Sequence, residues 1–301
     1  MKNYLAGACA ALLFAAIPPA LADTSPAHLD MSVNAQWLAA HLADPDLVIL
    51  HLGNKDDYEK RHIPGARLVK LSDIAVDRDE LTLQLPTAPE LKQRLGALGI
   101  GNASKVVVYF GKDWVSPATR VIFTLYAAGL GDKVALLDGG MDEWSRAGNR
   151  VTNEKSATAS SAGPDVHLRE AVVDASFVRA HARAPGYVLV DARAPVYYDG
   201  VEPSGDMRKM QKGHIPGAVN IPYTSIVGLD NKLKPHAQLE ALFRDAGITA
   251  DTHLVVYCHI GQQATAILFA ARSIGINAVL YDGSFEDWTW HDGAVEARSG
   301  K

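Results

Sequence analysis

His62-Ile63-Pro64-Gly65-Ala66 recurs, residue for residue, as His214-Ile215-Pro216-Gly217-Ala218, 152 positions further along the chain. Other short matches surround this pentapeptide and keep the same order in both halves. They pair residues 48–50 with 188–190, 106–109 with 254–257, and 137–139 with 281–283. Their offsets range from 140 to 148 residues, so the halves differ by loop-sized insertions. A colinear series of this kind indicates an internal duplication.

The duplication predicts two domains in a chain of 301 residues, in agreement with the usual domain size of about 100–200 residues. Between the copies, residues 151–164 are rich in Ser, Ala and Thr and show no apolar period, which is typical of a linker. We therefore predict a first domain at residues 28–150, a linker at 151–164 and a second domain at 165–298.

The composition is that of an ordinary globular protein, with 48% hydrophobic and 21% charged residues. A net charge of -5 and the absence of a basic run argue against nucleic acid as a partner. The only cysteines, Cys9 and Cys258, are too few for a disulfide scaffold or a zinc site of several thiolates. A metal site at His253, Cys258 and His259 is disfavoured because two of the three residues are adjacent. We expect neither a metal nor a cofactor.

The first 22 residues have the pattern of a secretory signal peptide. Lys2 precedes an apolar stretch at residues 5–17, and Ala20-Leu21-Ala22 fits a cleavage site. We expect a mature chain that starts at Asp23, lies in the periplasm and has no membrane contact after cleavage. Cleavage also removes Cys9, so Cys258 becomes the only thiol of the exported protein. This is notable because structural thiols in an oxidising compartment are normally paired in disulfides.

Within each copy, short apolar runs alternate with amphipathic stretches. In the second copy, residues 187–190 and 253–257 have the pattern of strands buried on both faces. Residues 239–246 and 263–273 have helical patterns, and a glycine follows each. The alternation predicts an α/β fold in each domain, with a mainly parallel sheet flanked by helices. Ligands of such folds bind beyond the carboxyl ends of the strands.

Cys258 occupies that position, directly after the strand at 254–257 and before the helix that starts near Gln263. A tight loop there directs backbone N–H groups inward, and the helix N-terminus adds partial positive charge. Both effects favour a thiolate and an anion beside it. Gly261 permits the backbone angle that such a turn needs. The alternative is an inert, buried cysteine.

These features together resemble the tandem-domain rhodaneses, a family of sulfurtransferases. The resemblance rests on the two pentapeptides, on Asp191-Ala192-Arg193 at a strand end, on the Cys258 loop, and on the Asp-Gly pairs at Asp138 and Asp282. It covers about residues 33–296. It implies two rhodanese-like domains, of which the second is catalytic. It also implies that Cys258 takes a sulfane sulfur from a donor, becomes a persulfide, and passes the sulfur to a thiophilic acceptor such as cyanide or a thiol.

The first copy fits an inactive role, because Phe110 follows its strand where Cys258 does in the second copy. Its loop is two residues longer and contains no cysteine. We expect the first domain to form one wall of the active-site cleft. Trp114 is either an apolar lid over the site or an ordinary core residue.

The resemblance assigns donor binding to Arg193, because family arginines at this strand end bind the anionic donor. On that interpretation Arg193→Ala weakens donor turnover and leaves thermal stability little changed; the alternative is a surface salt bridge. Asp191 is expected to orient Arg193 or the loop. His62 and His214 occur in both copies, so a structural role in a turn is predicted for them.

The loop residues complete the predicted substrate-binding set, which is His259, Ile260, Gly261, Gln262 and Gln263. His259, if protonated, would attract an anion and lower the pKa of Cys258; alternatively it points to solvent.

Three further functions compete with thiosulfate sulfurtransfer. A phosphatase of similar fold needs an arginine six residues after the cysteine, but that residue is Ala264, and residues 258–271 contain no Arg or Lys. In the family that the chain resembles, members that prefer thiosulfate tend to have cations in this loop, and members that prefer 3-mercaptopyruvate tend to have Gly-Ser-Gly after the cysteine. This loop matches neither pattern, because Ile260 replaces both the cation and the serine. Thiosulfate is favoured because His259 can become cationic and the serine is absent. A periplasmic sulfur carrier that does not turn over remains open. The expected partners are a small-molecule sulfur donor and a thiophilic acceptor, with a protein thiol as another candidate acceptor.

Overall fold

The computed structural model describes residues 29–112, 115–156, 160–203 and 211–297. The first domain contains seven strands and five α-helices among these residues. The strands are β1 (Ser32–Val33), β2 (Leu47–Leu52), β3 (Arg67–Val69), β4 (Val76–Arg78), β5 (Leu81–Gln84), β6 (Lys105–Phe110) and β7 (Val134–Leu137). The helices are α1 (Ala35–His41), α2 (Lys55–Lys60), α3 (Ala88–Ala97), α4 (Val115–Leu125) and α5 (Gly140–Arg146).

The second domain repeats this arrangement with fewer strands. Its strands are β8 (Val172–Val173), β9 (Tyr187–Asp191), β10 (Val219–Asn220), β11 (His253–Tyr257) and β12 (Ala278–Tyr281). Its helices are α6 (Ala175–His181), α7 (Pro195–Tyr198), α8 (His236–Asp245), α9 (Ala264–Ser273) and α10 (Ser284–Trp290).

Each domain is built on a five-stranded parallel sheet. The order is β1-β7-β6-β2-β3 in the first domain and β8-β12-β11-β9-β10 in the second, so equivalent strands occupy equivalent places. The central strands β6 and β11 are buried almost throughout, as their apolar sequences predict. The predicted duplication and the α/β class are therefore confirmed. A separate antiparallel hairpin, β4–β5, extends the first domain.

The repeated pentapeptide forms the same turn in both domains. The backbone N–H of Ile63 donates to Tyr109 Oη at 3.1 Å, and that of Ile215 donates to Tyr257 Oη at 3.0 Å. His62 and His214 each bond a tyrosine carbonyl through Nδ1, at 2.7 and 2.8 Å. Both histidines thus hold turns against their sheets, which agrees with the predicted structural role.

The two domains share one apolar core through the contact between α4 and α9. At this contact, Thr119 Oγ1 and Thr265 Oγ1 lie 3.0 Å apart. These threonines stand at equivalent positions, since Ala-Thr precedes Arg120 in one copy and Ala266 in the other. A contact between equivalent residues is what an approximate two-fold arrangement of the repeats produces. The amino end of α9, which follows Cys258, therefore faces the first domain.

The segment between the domains packs on the first domain where it is described. The Ser161 N–H donates to the Gly96 carbonyl at 2.8 Å, and its hydroxyl donates to the Ile100 carbonyl at 2.7 Å. The predicted domain bounds stay a prediction, and residues 1–28 and 157–159 lie outside the described part of the chain. Among the helices of the described ranges, none has the length and apolar character needed to cross a membrane.

Candidate active site

Cys258 follows β11 directly and its residue is fully buried. Its backbone N–H donates to Ser284 Oγ at 3.2 Å, and its carbonyl accepts from the Phe285 N–H at 3.0 Å. The His259 carbonyl accepts from the Glu286 N–H at 3.0 Å. The first residues of α10 therefore fix the start of the reactive loop, which we define as residues 258–263.

Two opposing effects act on the Cys258 thiol. Burial raises its pKa, because the charged form loses solvation; N–H groups of Ala264, Ile260 and Gln263 that donate to the sulfur lower it. Burial outweighs the hydrogen bonds, and Asp191 adds to the rise. The sequence predicted the converging N–H groups but not the depth of burial. The resting thiol therefore keeps its proton at neutral pH. When the thiolate forms, the surrounding backbone N–H groups stabilise its negative charge.

Gly261 has the predicted conformation, with φ at +79°. Space is a second reason for glycine here. A Cβ would lie 2.8 Å from both the carbonyl oxygen and Oδ1 of Asp282. A larger residue would have to push the reactive loop away from Asp282.

Arg193 lies inside the protein, fully buried, in a fork-like pair with buried Asp191. Its Nε lies 2.9 and 3.0 Å from the two carboxylate oxygens, and Nη2 lies 2.5 Å from Oδ2. Nη2 also donates to the Gly213 carbonyl at 2.7 Å. The alternative of a surface salt bridge therefore does not hold, and the expectation of little effect on stability needs revision. Asp191 thus bonds the guanidinium of Arg193; the supporting role of Asp191 and donor binding by Arg193 stay predictions.

His259 contradicts one expectation. Burial and the nearby Arg193 charge lower its pKa to about 4, although Asp191 opposes the shift. The imidazole is therefore neutral at pH 7 and supplies no positive charge to a donor or to Cys258. Its ring meets the edge of Tyr197, with centroids 5.0 Å apart.

Sequence reasoning missed a functional candidate in the first domain, Arg120 on α4. This arginine is fully buried, and Nη1 donates to Asp282 Oδ1 at 2.6 Å and to the Gly261 carbonyl at 3.1 Å. Nη2 donates to the Leu83 carbonyl. One signal was present, because Arg120 is the only charged residue in the apolar stretch 115–125 and the second copy has Ala266 in its place.

The first domain also reaches the second through the arm, which we define as residues 76–85 and which contains the β4–β5 hairpin. Thr82 donates from its backbone and its hydroxyl to Glu286, at 2.7 and 3.0 Å. The Leu85 N–H donates to Asp282 Oδ2 at 2.7 Å. Beside the arm, Gln262 Nε2 donates to Ser116 Oγ at 3.1 Å. First-domain residues thus line the reactive loop, and Trp114 lies outside the described residues.

The equivalent site of the first domain is filled by an aromatic ring. Phe110 stands in the place of Cys258, and a Cβ on Gly140 would lie 2.9 Å from that ring. Gly140 corresponds to Ser284, whose hydroxyl accepts from Cys258 in the second domain. His51 and Gly53 replace Asp191 and Arg193. Among the residues that the structure describes here, the first domain has neither a thiol nor a counterpart of the buried ion pair.

Comparison with known proteins gives the same assignment for both halves. The family model of the rhodanese-like domain matches residues 34–147 and 174–290. A "Thiosulfate sulfurtransferase" of Corynebacterium glutamicum is 31% identical over 275 residues, which cover 87% of this chain and 88% of that protein. A "Probable 3-mercaptopyruvate sulfurtransferase" of Pseudomonas aeruginosa is 34% identical over 277 residues, or 85% of this chain and 94% of that protein.

A solved structure with the same fold is the anaerobic ergothioneine biosynthesis enzyme of Chlorobium limicola in complex with trimethyl histidine. It superposes with a TM-score of 0.80 over 90% of this chain and 71% of that chain, at 24% identity. This likeness concerns the fold alone. The two family matches, the duplicated sheets and the loop around Cys258 agree, and the chain belongs to the rhodanese family.

Proposed function

We propose that the chain is a sulfurtransferase that uses thiosulfate as its donor and forms a persulfide on Cys258. The Cys258 thiolate attacks the outer sulfur of thiosulfate, the S–S bond of the donor breaks, and sulfite leaves with the bonding pair. A thiophilic acceptor, cyanide or a thiol, then attacks the terminal sulfur of the persulfide and releases the thiolate. One observation carries the proposal: a fully buried cysteine lies directly after β11, and backbone N–H groups at the end of its loop and the start of α9 lower the pKa of its thiol.

The loop N–H groups stabilise the negative charge that both steps place on sulfur. Oriented N–H groups in a water-poor site stabilise developing charge more strongly than water does. Arg193 is a positive charge close enough to interact with the Cys258 thiolate: the carboxylate of Asp191 is the main cause that raises the pKa of Arg193, and Cys258 adds to that rise, although burial opposes it. We propose that Arg193 acts on the donor anion through this field while Asp191 holds it in place.

Cys258→Ser tests the nucleophile. We expect the variant to melt near the wild-type temperature and to transfer no sulfur. After incubation with thiosulfate, the mass of the wild-type protein should increase by one sulfur atom and that of the variant should not change. Sulfur transfer by the folded Cys258→Ser variant would refute the mechanism.

The donor is tested by kcat/KM for thiosulfate and 3-mercaptopyruvate measured side by side. The relatives carry both names. Neutral His259 removes one argument for thiosulfate, so that proposal now depends on the loop N–H groups and the Arg193 charge. A larger kcat/KM for 3-mercaptopyruvate would reassign the donor. A protein that transfers one sulfur atom per Cys258 and shows no steady-state turnover with cyanide or small thiols as acceptors would instead be a stoichiometric sulfur carrier.

We also propose that the signal peptide at residues 1–22 directs the protein to the periplasm. N-terminal sequencing of the purified protein should then begin at Asp23. A soluble cytoplasmic protein that keeps Met1 would exclude this proposal.

A further inference from the structure

Arg120 connects the domain without a cysteine to the reactive loop of the other domain. All three of its acceptors lie outside its own helix: the carbonyls of Gly261 and Leu83 and the carboxylate of Asp282. The guanidinium is fully buried, and Asp282 is only 3% exposed. A planar fork of N–H donors fits three acceptors in fixed directions, as a lysine ammonium group does not.

The carbonyl of Gly261 lies within the stretch of backbone that surrounds the cysteine sulfur. N–H groups of Ile260, Gln263 and Ala264 donate to this sulfur. A loop that turns successive N–H groups inward turns carbonyl groups outward, and a buried carbonyl without a donor costs free energy. Arg120 supplies that donor, from a helix of the other repeat.

Two neighbouring contacts hold the rest of the loop to the same helix. The Gln262 side chain donates to Ser116, and Thr265, which donates to the Gln262 carbonyl, lies 3.0 Å from Thr119. Both contacts involve side-chain hydroxyls and lie at the carboxyl end of the loop. Arg120 is the charged group among them, and it reaches the loop at Gly261, the residue with positive φ.

We propose that Arg120 is a positioning residue of the sulfur-transfer site, which holds the Gly261 carbonyl and Asp282 so that the loop N–H groups stay directed at the Cys258 sulfur. The catalytic role rests on the proposed sulfurtransferase function; the loop-holding role does not. The domain without a cysteine is then part of the catalytic machinery, because it supplies the group that gives the reactive loop its shape.

A positioning role and a merely stabilising role of Arg120 predict different effects on the reactive loop. A residue that only joins the domains would, when replaced, lower stability without a local effect on the loop. Replacement of a residue that holds the loop would increase fluctuations of the loop, so its amide hydrogens around Cys258 would exchange faster with solvent while the sheets stay intact. Hydrogen exchange of the peptide that spans residues 258–264 distinguishes these cases.

The experiment compares four full-length proteins: wild type, Arg120→Gln, Arg120→Lys and the control Arg272→Gln. Arg272 is a suitable control because it is a half-buried arginine on α9 that stacks on Tyr126, 3.6 Å from the ring centre, and donates to the Ala278 carbonyl. It makes no hydrogen bond to the reactive loop among the described residues. Thermal unfolding establishes that each variant is folded at the assay temperature.

We expect Arg120→Gln to accelerate amide exchange in the 258–264 peptide by at least about tenfold, with unchanged exchange in the strands β9 and β11. Its kcat for sulfur transfer should fall about 10- to 100-fold, the range expected for the loss of a charge-assisted hydrogen bond. Arg120→Lys should lie between Arg120→Gln and wild type in both measurements. Arg272→Gln should match wild type in both.

Wild-type exchange of the loop peptide in Arg120→Gln would overturn the proposal, even if the variant is less stable. If Arg120→Gln does not fold, Arg120→Lys decides by the same comparison, and unchanged loop exchange in that variant would overturn the proposal as well. Absence of sulfur transfer in the wild type would refute the proposed function, whereas the exchange data would still decide whether Arg120 holds the loop.

Discussion

The proton on Cys258 is controlled by burial and by the surrounding loop. Because burial raises the pKa of the thiol above its ordinary value, the thiolate fraction at neutral pH is small. The alkylation rate with iodoacetamide should therefore rise with pH, with a midpoint above the usual value of about 8.5. Cys258→Ser supplies the blank for this measurement. A midpoint below the ordinary range would mean that the N–H groups outweigh burial.

The buried Arg193–Asp191 pair reverses the sequence-based expectation that Arg193→Ala leaves stability little changed. Loss of one partner from a buried ion pair costs about 3–5 kcal/mol, because the other charge stays buried without compensation. Arg193→Ala should therefore lower the free energy of unfolding by about that amount, in addition to weakening donor turnover. Urea unfolding checks the first effect and kcat/KM the second. Wild-type stability in Arg193→Ala would contradict the buried pair.

Burial decides the protonation states of Cys258 and His259. A local sequence pattern does not show how deeply a loop residue is buried. His259 was a candidate cation in the sequence because it lies in the reactive loop, which contains no Lys or Arg. In the folded protein, burial and the nearby Arg193 charge keep the imidazole neutral. The position of Cys258 after an apolar strand was predictable because it depends only on local pattern.

At the scale of helices and strands, prediction succeeded where elements are regular. Helices predicted at 239–246 and 263–273 are α8 and α9, and the glycines that follow them have φ of +78° and +81°. The β4–β5 hairpin in the first copy was not predicted, and its turn contains no glycine that would have indicated it. Asp79 and Glu80 adopt φ of +52° and +65° there, angles that non-glycine residues rarely take. Contacts with the second domain hold this hairpin, and a local pattern does not contain them.

Gly261 and Gly275 form a matched pair for testing the reactive loop. Both have positive φ, +79° and +81°, but a Cβ on Gly261 would meet Asp282 at 2.8 Å, whereas a Cβ on Gly275 would have no atom within 4 Å. Gly275→Ala should cost about 1–2 kcal/mol of stability from backbone strain, with sulfur transfer unchanged. Gly261→Ala should cost more and lose most of the transfer rate.

Thermal unfolding and kcat for the two glycine variants check this prediction. Equal effects of the two substitutions on kcat would show that the contact with Asp282 has no part in shaping the loop.

At the scale of the whole molecule, each domain docks a segment on the other. The Leu85 N–H donates to Asp282 at 2.7 Å, and the Leu233 N–H donates to Asp138 at 2.8 Å. Leu85 and Leu233 are equivalent positions, so the exchange follows the approximate two-fold relation of the repeats. The duplication could be predicted from the sequence, but these reciprocal contacts could not, because they join residues 95 and 197 positions apart. The first copy, which has Phe110 in place of the cysteine, thus makes reciprocal contacts with the second copy.

The pH dependence of stability follows from two buried histidines, one in each domain. Burial is the main cause that lowers the pKa of both His51 and His259 to about 4. In the unfolded chain they take up a proton near pH 6.5, so their stabilising contribution is complete above that pH and is lost as pH falls toward 4. Between pH 7 and pH 5 each histidine should lower the free energy of unfolding by about 2 kcal/mol.

His51→Leu isolates one of these contributions, since neither ring nitrogen of His51 has a hydrogen-bond partner that the substitution would remove. Urea unfolding of wild type and variant at pH 7 and pH 5 gives two stability losses, and the loss in the variant should be smaller by about 2 kcal/mol. The carboxylates titrate alike in both proteins, so their share cancels in this difference. Equal losses in the two proteins would mean that His51 already carries a proton in the folded state at pH 5, and that its burial is not what destabilises the protein in acid.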